Sequence, residues 1–360
     1  MPNEENSPAG SFPEVRLSAA AAVKYINTNL GGVNGHPLKL DTCITDATPA
    51  TSANCANQFV KDKAVAVTTG VDFGSAGSLP ILSKAGIPVL GGVPTQAADL
   101  TTPGVYAFGS GTAGGAPAAM AYFANNLKVK KFSIIYLDSP PGQQAAIAFG
   151  KNVLKTLGVT DVTLVPAAAT LSDYTAPVQQ ANSGNPGVIA VLEPGSVCSR
   201  IMSAKQSLGV TAKMFYTESC DGADVTKAGG AGANNSYFTT DVLAPTSDDP
   251  QIATYAAVMK TYAAGTDLSS FSETGYQAVM NTYALLRTLP ASGMTSAALL
   301  AAVKKTTNEP NILGHPYSCN GKQIPGFTAV CNTYQRVLQY KNGKLEDVLG
   351  SWISGTKYLG

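Results

Sequence analysis

The chain has 360 residues, 44% of them hydrophobic and 13% charged, against about 25% charged in an average soluble protein. With 24 basic and 23 acidic residues the net charge is +1, which excludes the basic footprint of a protein that binds nucleic acid. The length points to two domains, each with a sizeable core.

Residues 1–12 are polar and contain Gly and Pro, with no apolar run; the strand that normally opens a doubly wound lobe is expected to be absent. From residue 13 to 29, Val15, Ala19, Ala22, Val23 and Ile26 recur at helical spacing, which predicts a helix ended by Gly31-Gly32. Residues 38–44 predict a strand, and residues 50–61 a helix with Pro49 before it. Residues 64–69 form a short apolar, β-branched run, the look of a buried parallel strand. A short helix at 79–85 and a strand at 87–90 follow.

The same rhythm carries through the middle of the chain. Helices are predicted at 116–127, 142–157, 175–183 and 197–208, and strands at 131–137, 162–166, 187–192 and 213–217. Alternation of this kind argues for doubly wound parallel sheets. Helices follow at 250–265, 272–289 and 296–306. The end breaks the pattern: strands at 333–340 and 345–352 flank Lys341-Asn342-Gly343-Lys344, and Asn-Gly between β runs signals a hairpin. No long linker is visible. The reading is therefore two lobes joined by several short crossings, placed near residues 108–116, 240–245 and 318–327. The lobes are expected to be 1–113 with 245–322, and 114–244 with 323–360.

No run reaches the roughly 18 to 20 apolar residues that span a bilayer. No basic segment precedes an apolar one near the start, so a signal peptide is not in this sequence. The six cysteines fall into local pairs, Cys43 with Cys55, Cys198 with Cys220, and Cys319 with Cys331. No CxxC occurs and neither histidine lies at finger spacing, so disulfides are expected rather than zinc. Disulfides imply an oxidising, extracytoplasmic compartment.

Catalytic signatures are missing. There is no G-x-S-x-G elbow, P-loop or dinucleotide fingerprint. His36 and His315 each lie in a Gly-His-Pro turn. No cofactor, no metal and no catalytic residue is expected. The informative residues follow the predicted strands, because open α/β sheets bind ligands beyond the carboxyl ends of their strands. They are Asp72, Phe73, Gly74 and Ser75; Val93, Pro94, Thr95 and Gln96; then Asp138, Pro141, Glu193, Ser196 and Glu218. A helix beginning near Ser75 or Gly77 would offer unpaired N–H groups to a carboxylate, and Glu218 would suit an ammonium.

Several segments carry a resemblance. Residues 22–27 with Leu30-Gly31-Gly32 and Gly35-His36-Pro37-Leu38, Asp46 with the helix after it, residues 67–78 followed by Ile87-Pro88-Val89-Leu90, residues 276–289, and Ile312-Leu313-Gly314 occur in the order and spacing of the leucine/isoleucine/valine-binding proteins. The chain resembles that family, the type I periplasmic binding fold of ABC importers, over nearly its whole length. The resemblance implies two doubly wound lobes on a hinge of several crossings, closing on a small ligand without chemistry. It implies that the 72–75 and 93–96 loops hold the ligand's carboxylate and that Glu218 pairs with its amino group. It also implies a membrane permease as partner and a monomer. The sequence departs from the family at Phe73-Gly74-Ser75 and at Pro141, so a ligand other than a branched-chain amino acid stays open. Two other classes share such a scaffold: a sensing ectodomain of a receptor, and an enzyme on a doubly wound sheet.

Overall fold

The computed structural model describes residues 1–7, 10–268 and 271–359. The chain divides into two compact units, Met1–Gly111 with Asp248–Thr333 and Thr112–Ser247 with Tyr334–Gly360. The last changeover thus follows Thr333, later than the 318–327 segment read from the sequence. The Cys319–Cys331 disulfide closes that segment on itself within the first unit.

In the first unit, short strands run parallel. Pro2–Glu4 pairs with Cys43–Thr45, and Val89–Leu90 pairs with Val105–Tyr106. Residues 67–71 lie between these pairs: Val67 bridges to Val89, Gly70 N–H donates to Pro2 O at 3.0 Å, and Glu4 N–H donates to Val71 O at 2.8 Å. The expectation of a missing first strand is therefore corrected. Pro2–Glu4 is that strand, wholly buried, but its residues are polar, so a search for apolar runs passes over it. Asn3 explains how polar residues can sit there: its side chain donates to Phe12 O at 2.8 Å, which satisfies a group that burial would otherwise penalise. The strand expected over residues 38–44 contracts to Cys43–Thr45. Upstream of it, the Asn27 side chain brackets the Leu38 backbone with two bonds of 2.8 Å.

Helices cover these strands. Pro13–Asn29 buries Val15, Ala19, Ala22 and Ile26, and Ser18 Oγ donates to Ser272 O at 2.6 Å, tying it to the Ser272–Arg287 helix. Pro49–Lys61 packs against Ser75–Lys84 with a close backbone approach at Gly77. A Cβ there would overlap the Pro49 carbonyl, so only glycine fits.

The second unit holds a seven-stranded sheet in the order Lys344–Asp347, Arg336–Lys341, Ser236–Thr240, Lys213–Tyr216, Val188–Leu192, Lys131–Leu137, Asp161–Ala167. The last five are parallel to one another; the first two form an antiparallel hairpin on the edge. Asn342 and Gly343 both take positive φ, 50° and 82°, as a two-residue hairpin turn requires. Successive residues face opposite sides of the sheet. Ile135, Val191 and Met214 pack into one core with Val197, Ile201 and Tyr174. Ile134, Ala190 and Phe215 pack into the other with Phe123, Val153 and Leu154. Because Val188–Leu192 is covered on both faces, all five of its residues are buried, and this explains its unbroken apolar sequence.

The cysteines pair locally, Cys43–Cys55, Cys198–Cys220 and Cys319–Cys331, and none is free among the described residues. The Cys43–Cys55 bridge anchors the Pro49–Lys61 helix to the strand before it. Replacing both cysteines by alanine will lower unfolding free energy by about 3 kcal/mol in the loop-entropy account, measured by urea titration; unchanged stability would assign the bridge no structural weight.

Candidate functional site

In the first unit the strand-end loops are built around carboxyl groups. Asp72 is 3% exposed. Its carboxylate accepts from Ser52 Oγ at 2.5 Å and from Gly74 N–H at 3.0 Å. Phe73 N–H donates to Glu4 Oε2 at 2.9 Å. On the next loop, Thr95 and Gln96 N–H both donate to Asp99 Oδ2, at 2.8 and 2.7 Å, and Thr95 Oγ1 reaches Asp72 O at 3.4 Å. Ser75 N–H is bonded to Asp72 O and Gly77 N–H to Gly74 O.

These bonds correct an expectation. The N–H groups of Ser75 and Gly77 are not unpaired, and those of residues 73, 74, 95 and 96 are taken by the protein's own carboxyls. Asp72 is a residue that shapes its loop from within. Phe73 is half-buried, its ring edge-on to Phe12 with centroids 6.3 Å apart. Gly74, Ser75 and Pro94 are buried, while Val93, Thr95 and Gln96 keep partial exposure. Burial raises the carboxyls of Glu4, Asp72 and Asp99 above their ordinary range, against the hydrogen bonds that favour their charge. Ser75 Oγ is close enough to Asp99 to contribute to that opposition, though it makes no bond of good geometry. Glu5 behaves differently. Desolvation works against its charge, but a two-pronged bond from Arg16, at 2.6 and 3.1 Å, brings it below its usual value.

In the second unit three acids follow three adjacent parallel strands. Asp138 comes after Lys131–Leu137, Glu193 after Val188–Leu192 and Glu218 shortly after Lys213–Tyr216. The register aligns Tyr136 with Leu192 and Val191 with Tyr216, so the three lie along one edge. Glu218 is half-buried and accepts from Thr240 Oγ1 at 2.5 Å. The Cys198–Cys220 bridge joins its turn to the Gly195–Ser207 helix. Asp138 and Pro141 are exposed, and Ser196 is exposed in the first turn of that helix.

Glu193 is the unusual member. It is 4% exposed, and neither carboxyl oxygen has a hydrogen-bond partner. Desolvation first, and the charge of Asp138 second, raise its pKa to about 8. Tyr174 also feels Glu193; burial and that carboxyl push its phenol up to about 12, while Arg200, whose guanidinium lies 5.6 Å from the ring, works the other way. Glu193 is therefore neutral at pH 7 and able both to donate and to accept.

Sequence reasoning named Glu193 and Glu218 from their place after strands. It missed Glu4, Asp99, Thr240, Tyr174 and Arg200. Asp99 carried a signal, lying three residues after Gln96 at capping-box spacing, and that box forms. Glu4 and Thr240 carried none, because their partners are distant in sequence. Among the described residues no cluster of His, Cys, Asp and Glu is arranged to hold a metal ion, and no helix is long and apolar enough to cross a membrane.

Comparison with known proteins places this geometry in context. The family described as periplasmic binding protein matches residues 6–325. No curated protein matches the chain. Among solved structures, a possible leucine/isoleucine/valine-binding protein from Rhodopirellula baltica is similar at 16% identity and a TM-score of 0.79, over 96% of this chain and 95% of that one. A leucine-binding protein from Thermotoga maritima is similar at 18% identity and 0.78, over 98% and 97%. A branched-chain amino acid ABC transporter from Thermus thermophilus, with bound valine, is similar at 16% and 0.79, over 96% and 94%. These likenesses identify the fold as type I periplasmic binding, in agreement with the sequence reading.

The raised Glu193 pKa has a definite sign in stability. The folded protein binds this proton more tightly than the unfolded chain, so its contribution is complete below the unfolded value and is lost as pH climbs to about 8. Glu193→Gln will melt close to wild type at about pH 5 and above it at about pH 9. Parallel melting curves for the two proteins across that range would contradict the assignment.

Proposed function

Because the chain belongs to the periplasmic binding protein family, we propose that it captures an amino acid or a similar small polar metabolite on its strand-end loops, for delivery to the membrane permease of an ABC importer. The observation that carries this reading is Glu193. A buried carboxyl with both oxygens unpartnered costs free energy, and a solute with an ammonium or hydroxyl group would satisfy it. Glu218, in the turn after the neighbouring strand and steadied by Thr240 and the Cys198–Cys220 bridge, would supply a second acceptor for the same group.

The loops of the first unit refine the ligand class. In the first unit Glu4, Asp72 and Asp99 already hold the N–H groups of residues 73, 74, 95 and 96, and the Thr95 hydroxyl is turned to Asp72 O, so few donors there are left for a carboxylate. This favours a ligand read mainly through its cationic or hydroxyl end. The fold is shared with proteins named for leucine, isoleucine and valine, which supports an α-amino group as that end. The disulfides support an extracytoplasmic location. The reading is of a monomer that binds its ligand and releases it unaltered.

An ammonium placed against Glu193 favours its ionised form and so expels its proton. Calorimetry at pH 7 with amino acids, amides and amines will give a binding heat that varies with the ionisation enthalpy of the buffer, and Glu193→Gln will remove that dependence. Glu218→Gln will weaken an ammonium-bearing ligand by about 1.5–3 kcal/mol. An unchanged dissociation constant takes Glu218 out of the site, and no thermal shift with any member of the panel rejects the reading.

A further inference from the structure

The second unit has a cavity at the opposite end of its sheet. About 580 Å³ of space opens among Lys205, Lys213, Thr211, Asn234, Asn235 and Gln339, with neighbouring backbone. Lys213 begins its strand, Asn235 directly precedes Ser236–Thr240, and Gln339 pairs with Tyr237. The cavity therefore lies at the amino ends of the parallel strands. Glu193 and Glu218 follow the carboxyl ends, about 10 Å away along the strand from Lys213 to Tyr216.

Its chemistry is one-sided. Among the residues that line it none is Asp or Glu. The Lys205 side chain is folded into the protein, and its Nζ donates to Gly232 O at 3.1 Å and Asn234 O at 2.8 Å. An ammonium has three donors, so one remains. The oxygen of the Asn234 amide accepts from Asn342 N–H, and that of Asn235 accepts from Gln339 Nε2, at 3.2 and 3.3 Å. Each asparagine is left with its amino group to donate. Lys213 is exposed at the rim and makes no ion pair among the described residues.

We propose that this cavity is a binding site for a small oxyanion, a carboxylate or phosphate group, separate from the strand-end loops. The ammonium of Lys205 and the amino groups of Asn234 and Asn235 would surround it, with Lys213 closing the rim. Such donors are oriented by bonds already made within the protein, so little reorganisation accompanies binding. Burial lowers Lys205 to about 8, and an anion beside it would offset that penalty.

The test is nitrogen–proton correlation spectroscopy of the intact protein titrated with inorganic phosphate, and separately with citrate, at constant ionic strength against sodium chloride. The expected result is saturable shifts at the amides of Gly209, Thr211, Gly232 and Asn235, with those of Glu193 and Glu218 unmoved. Phosphate alone, citrate alone or both would each support the site and name its preferred oxyanion. Lys213→Ala, an exposed substitution that leaves the core intact, and Lys205→Met will each weaken the titration by about tenfold or more. Shifts that track chloride, that fail to saturate, or that persist unchanged in Lys213→Ala would overturn the proposal. Amino acid binding at the other end is scored independently by the amides of Glu193 and Glu218.

Discussion

Parallel strands end at one edge of a sheet, and the loops that follow them carry backbone groups that the ladder cannot satisfy. How those groups find partners decides what each unit can bind. In the first unit the partners come from within. Glu4, Asp72 and Asp99 are drawn under the loops, and their charge is made costly by burial yet held in place by the N–H groups they receive. The second unit solves the same problem incompletely. Glu218 has Thr240, but Glu193 has no bond to either oxygen, and a neutral carboxyl is the less costly form in that setting. The contrast explains why the functional reading rests on the second unit.

Much of this fold was legible before any coordinates. Val188–Leu192 and Lys131–Leu137 are apolar runs because the sheet buries both of their faces, and that pattern survives in sequence. Pro13–Asn29 and Ser272–Arg287 announce themselves by spacing. What was not legible has a common cause. Pro2–Glu4 is a buried strand of polar residues whose partners, Phe12, Val71 and Phe73, come from elsewhere in the chain. Ser236–Thr240 is short, and its Ser and Thr residues mask a pattern in which only Tyr237 and Phe238 enter the cores. Where burial is made tolerable by a remote hydrogen bond and not by an apolar side chain, local composition has nothing to report.

The site divides along the same line. Position after a strand is a local property, so Glu193 and Glu218 could be named. The inward turn of Asp72 could not, because it depends on Ser52, twenty residues earlier in the Pro49–Lys61 helix. The helix-start reading expected unpaired donors near Ser75 and Gly77; those two are bonded to Asp72 O and Gly74 O, and the N–H groups of Phe73 and Gly74 go to Glu4 and Asp72. The low charge content of the chain sharpens the point: with few ionisable residues in all, several of them are spent on burial at strand ends.

The contact at Gly77 carries a consequence for how this sequence can drift. The Pro49–Lys61 and Ser75–Lys84 helices meet so closely that the hydrogen of one residue faces a carbonyl oxygen of the other backbone, and Gly74 just upstream meets Thr48 in the same way. Neither oxygen belongs to a side chain that could swing aside. Descendants of this gene can vary exposed neighbours such as Asn57 and Ala76, but at these two places a library of variants passed through selection would return a single codon family.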